Sequence, residues 1–174
     1  MLADIPAPNP RPPLRVPNKP LPAYRYVPGL HPHPFRDPAG HMYTDGSAPV
    51  EQMWDPSTDW KTDERYLHAA DLFDHRYYWE AHEAWEALWH FAEKGSAEHA
   101  LLQSMIQGAA GVLKLHMGSA KGAYLLIGRA EQRMEPFTKR IGPKLRGVDL
   151  PVLFQRLHGY LQGGKWPLLP LDKV

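Results

Sequence analysis

Fourteen of the chain's 19 prolines fall between Pro6 and Pro56, and only five lie in the rest of its 174 residues. Proline has no amide hydrogen and disfavours the helical conformation at the residue before it. The first 56 residues therefore exclude ordinary helices and sheet interiors. Residues 1–22 read as an extended, polyproline-II-like arm. Residues 24–43 differ, because Tyr24, Tyr26, Val27, Phe35 and Tyr43 supply apolar anchors that the first stretch lacks. A segment of that kind packs on a surface, and the nearest surface is the protein's own body. The expected organisation is an arm over residues 1–58, packing on a helical bundle domain over 59–174.

Beyond Trp60 the pattern turns helical. A first helix is expected over 62–74, with Asp63 as N-cap and Tyr66, Leu67, Ala70 and Phe73 on its apolar stripe. A second is expected over 76–93, stopping before Lys94-Gly95. A third begins after Ser96 as N-cap and runs to about Met117. A fourth runs over 119–135 with Ala120, Ala123, Tyr124, Ile127, Ala130 and Met134 inward, and stops at Pro136. A final helix follows Asp149 over 151–162. Short links between helices of this length predict an all-α, antiparallel bundle of four to five helices behind a Pro-rich extended N-terminal segment.

Charge and composition narrow the function classes. Twenty Lys and Arg face 19 Asp and Glu, which leaves no basic footprint for nucleic acid or an anionic membrane. No stretch reaches the ~18 apolar residues of a membrane span, and residues 1–6 lack the basic and apolar regions of a secretory signal. The absence of Cys excludes disulfides, thiolate metal sites and cysteine nucleophiles, and fits a reducing compartment. The expectation is a cytoplasmic protein with no nucleic-acid or membrane partner. A small-molecule ligand or a second copy of the chain remain as partners.

The second helix carries the unusual chemistry. At ~100° per residue, Tyr78, His82, Glu86 and Trp89 share one face, and Tyr77, Ala81, Ala84, Leu88 and Phe91 the other. A helix with large aromatics around a His and a Glu on one side, and small apolar residues on the other, is contacted on both sides. Two readings of the pair follow. In the first, His82 and Glu86 share a divalent metal, or His82, Glu83 and Glu86 serve as ligands and base in hydrolase-like chemistry, walled by Tyr78 and Trp89. Two ligands on one helix are too few for zinc, so His116, His31, His33 and His41 are the candidates to complete the set. In the second, His82 and Glu86 bond each other and a Gln103/Gln107 row on the third helix. The polar layer is then architectural, in a non-catalytic module that associates with itself or another protein. The string also approaches the zincin pattern His-Glu-x-x-His, but Glu86 stands at its last position, which argues against a zincin.

Tyr66-Leu67, Asp71-Leu72-Phe73 and the run Tyr78-Trp79-Glu80-Ala81-His82-Glu83-Ala84-Trp85-Glu86-Ala87-Leu88-Trp89 resemble the signature block of domain-of-unknown-function family 309. The continuation fits it, with Leu102-Gln103-Ser104-Met105-Ile106-Gln107, then His116, Gly118 and Gly122-Ala123-Tyr124. Ser104 stands where the family usually has Gly. The resemblance covers roughly residues 60–162 and implies a compact all-α bundle, with no activity attached. The segment from Tyr24 to His41, with His31-Pro32-His33, looks like an extension found in part of that family.

Overall fold

A computed structural model describes residues 2–45 and 53–174. It contains five helices: α1 (Glu64–Asp74), α2 (Tyr78–Trp89), α3 (Ala97–His116), α4 (Ala120–Ile141) and α5 (Leu150–Leu161). A minimal antiparallel hairpin, β1 (Lys144–Leu145) and β2 (Val148–Asp149), sits between α4 and α5. The all-α class holds. Each of the first four helices packs chiefly on its sequence neighbour, and α5 lies across α3 and α4. Among the described residues no helix is long and apolar enough to cross a membrane.

Three of the starts follow local chemistry. Asp63, Ser96 and Asp149 each accept a hydrogen bond from the amide three residues on, which satisfies a donor that the first helical turn leaves open. The second helix is shorter at both ends than the expected 76–93. At its start Arg76 takes a left-handed φ of 68°, which breaks the chain between α1 and α2. At its end the amides of Phe91 and Ala92 bond the carbonyls three residues back, so the helical pattern continues only as tight turns.

The fourth helix corrects the expected stop at Pro136. It runs through that residue to Ile141 and ends at Gly142, where φ is 95°. Gln132, the residue whose carbonyl loses its amide partner to the proline, is exposed, as is Pro136. Water can therefore replace the missing donor. Ala123, Ile127, Ala130 and Met134 are buried as the stripe requires, but Ala120 is exposed and Tyr124 is 48% exposed. The β-hairpin had no clear signal in the sequence. Its two turn residues, Arg146 and Gly147, both have positive φ, as a two-residue connection of this twist demands. A Cβ on Gly147 would lie 2.5 Å from the Trp60 ring.

The core centres on Trp85, Tyr66, Tyr78, Phe73, Leu88 and Leu101, all essentially inaccessible. Ile5, Val16, Val27 and Trp54 join the same cluster from the chain before α1. Among residues 2–45 there is no helix or strand, and polar contacts tie them to acids on α1. Asp71 accepts from the amides of Arg15 and Val16 and from Arg15 Nη1 at 3.1 Å, while Asp74 accepts from Arg15 Nη2 at 2.8 Å and from the amide of Leu169 at 2.6 Å. Buried carboxylates persist where every oxygen finds donors of this kind.

Candidate functional site

The residues from which a site could be built lie along one flank of α2. His82, Glu83 and Glu86, at i, i+1 and i+4, fall within ~100° of one another on a helix and are all half-buried. One ligand atom from each lies within 4.8 Å of the others. His82 Nδ1 is 3.2 Å from Glu83 Oε1. This trio stands on a ridge between two cavities. His82 lines a small pocket of about 260 Å³ together with Tyr78, Trp79, Leu113, Lys114 and Met117. Glu83 and Glu86 line a groove of about 1110 Å³ between α1, α2 and the N-terminal segment.

The other candidates disperse. Tyr78 is buried with its hydroxyl unpartnered, and its ring stacks on Trp166. Trp89 packs on His99 at 4.8 Å and lines neither cavity. Gln103 and Gln107 are half-buried. Gln107 Oε1 is without a donor, and among the described residues neither glutamine bonds His82 or Glu86. His116 Nε2 donates to the carbonyl of Ala3 at 2.6 Å. His31 accepts the amide of Val27 on Nδ1 and meets Asp4 at 2.7 Å through Nε2. His33 accepts the amide of Phe35 and presents its ring to Trp79. None of these three histidines joins the trio.

His41 is brought to a carboxylate, though not to Glu86. Its Nε2 lies 3.4 Å from Oε1 of Glu80, both side chains being almost fully buried, and its ring meets the Tyr24 ring edge-on. Glu80 also accepts the amide of Tyr26 at 3.0 Å. Burial pushes the Glu80 carboxyl up to about 7, against the opposing pull of the Tyr26 amide. Burial pushes His41 down, helped by the neighbouring His31. Burial thus favours the uncharged form of each partner. Shifts of this kind in a cleft mark candidate sites for proton chemistry.

Sequence reasoning passed over Glu80, and likewise Asp71 and Asp74. One signal was available for Glu80. Glu80, Glu83 and Glu86 recur every three residues, and Ala84 and Ala87 between them leave room for a groove. For Asp71 and Asp74 the signal was two acids within a stripe otherwise built from Leu67, Ala70 and Phe73, which demands cationic or amide partners from elsewhere.

Residues 66–126 match the model of a family described as a domain of unknown function, DUF309. No curated protein and no solved structure matches the chain. The family match is narrower than the 60–162 span of the resemblance. It takes in the trio, Glu80 and the Gln103/Gln107 row, and leaves the N-terminal segment, the hairpin and α5 outside. From most of α1 to the first turns of α4, the chain is similar to the DUF309 family.

Proposed function

We propose that the protein binds a divalent cation through His82, Glu83 and Glu86, as a pocket protein able to support hydrolase-type chemistry. The observation that carries the reading is the approach of three ligand atoms to within 4.8 Å, on a half-buried ridge with a cavity on each side. One imidazole and two carboxylates suit a first-row metal ion. Three protein donors leave positions for water, the arrangement in which a bound cation supplies Lewis acidity to a substrate held beside it. Tyr78 and Trp79 would wall such a substrate in the smaller pocket.

The test is metal analysis of untagged protein, followed by calorimetric titration of Mn²⁺ and Zn²⁺ into the wild type and a His82→Ala variant. Stoichiometric binding that falls at least tenfold in the variant supports the reading. Metal-free protein that binds neither ion, with a normally folded variant, removes it. A second reading, association with itself or another protein, draws on Tyr124 and Leu125, 48% and 50% exposed on α4. Sedimentation over a range of concentrations separates a monomer from a dimer.

A further inference from the structure

Glu80 is the most deeply buried acid lining the groove, and it is incompletely satisfied. It is 3% exposed; Oε1 accepts the Tyr26 amide and lies 3.4 Å from His41 Nε2 without a hydrogen bond, while Oε2 has no donor among the described residues. A buried acceptor left without a partner is destabilising, more so when it is charged. A ligand that brings N–H donors into the groove would remove that cost.

The surrounding charges point to the sign of the ligand. On α2, Glu83 and Glu86 lie beside Glu80, with His90 at the groove's end. On α1, Arg65 is the one cationic residue among those lining the groove, and its Nη1 donates to the carbonyl of Met53. The histidines of the other walls do not offset the carboxylates, because burial pushes both His41 and His68 below their ordinary range. Arg25, which donates to the His75 carbonyl and lies over the Tyr77 ring, attracts Glu80 but does not line the groove. The remaining walls are apolar, chiefly Leu21, Phe35, Met42 and Leu72. A ligand with a cationic head and an apolar body matches both kinds of wall.

We propose that the groove binds an organic ammonium ion, with its N–H donors on Glu80 and its apolar body against Phe35, Leu21 and Leu72. This site goes beyond the cation site at His82, Glu83 and Glu86 and does not rest on it.

The experiment is isothermal calorimetry at pH 7 with phenethylammonium chloride. Phenethyl alcohol and phenylpropionate serve as the neutral and anionic counterparts. The expected result is saturable one-to-one binding of the ammonium alone. A Glu80→Gln variant that melts cooperatively should bind at least tenfold more weakly. The inference is overturned by no saturable heat at millimolar ammonium or by equal binding of the alcohol. Unchanged affinity in the folded variant overturns it as well. The wild-type measurements decide the matter even if the variant does not fold. Mn²⁺ titrated separately keeps the two sites apart: heat with Mn²⁺ and none with the ammonium retires only the groove ligand, and the reverse retires only the metal.

Discussion

Replacing Glu80 with Gln isolates the cost of holding a carboxylate beneath the N-terminal segment. The amide keeps an oxygen for the Tyr26 N–H, which lies 3.0 Å from Oε1, and preserves the volume of a side chain that is 3% exposed. It cannot ionise. In the wild type the folded-state value is raised from 4.5 to about 7, so the folded protein holds the proton where the unfolded chain has lost it. Below pH 4.5 both states are protonated and the shift costs nothing. Between 4.5 and 7 stability falls by ~1.4 kcal/mol per pH unit, and above 7 the full penalty of about 3 kcal/mol applies. The advantage of Glu80→Gln over the wild type should therefore grow by about 2 to 3 kcal/mol between pH 5 and pH 8. Titrations elsewhere in the protein are common to both chains and cancel in the difference, except that of His41, which touches the substituted group. Urea unfolding followed by tryptophan fluorescence at the two pH values measures it, with similar slopes in both proteins as the check on two-state behaviour. A difference that stays flat between pH 5 and 8, or that narrows, refutes the assignment of a buried, reluctantly ionised carboxylate.

Two structural predictions join the metal and ammonium titrations. Arg15→Ala strips Asp71 and Asp74 of their cation and leaves buried acids held only by backbone amides, so it should destabilise by about 3–5 kcal/mol in the same urea assay. A loss under about 1 kcal/mol would place the pair among weakly contributing surface contacts. Gly111→Ala puts a Cβ 2.8 Å from Ile127 Cγ1 at the contact of α3 with α4, and overpacking of that kind should cost about 1–3 kcal/mol and lower Tm.

The helical body was largely legible because its cues are local. Asp63 and Ser96 cap the helices they were expected to cap, Asp149 caps the helix expected to follow it, and the Ala123–Ile127–Ala130–Met134 stripe is the buried face of α4. What failed depended on context. Pro136 reads as a stop, yet the loss of one amide is tolerable where the opposing carbonyl faces water. Tyr124 fits the inward period but lies at the edge of the packed stripe, and its hydroxyl reaches only the carbonyl of Leu161. The clustering of His82, Glu83 and Glu86 follows from helix geometry and could be read from spacing alone. The pairing of His41 with Glu80 could not, because they lie 39 positions apart in the sequence and no periodicity links them.

Asp74 has a topological consequence. Its two oxygens take donors from opposite directions along the chain, Arg15 on the N-terminal side and the Leu169 amide 95 residues further on. Two long loops therefore close on one carboxylate, and the entropy of each closure is offset at a shared anchor. The arm and the tail are then not independent appendages of the bundle. Withdrawal of either leaves the same buried charge short of a donor, which weakens the hold on the other. The first and last stretches of the chain form one cooperative unit, fastened through the middle of the sequence.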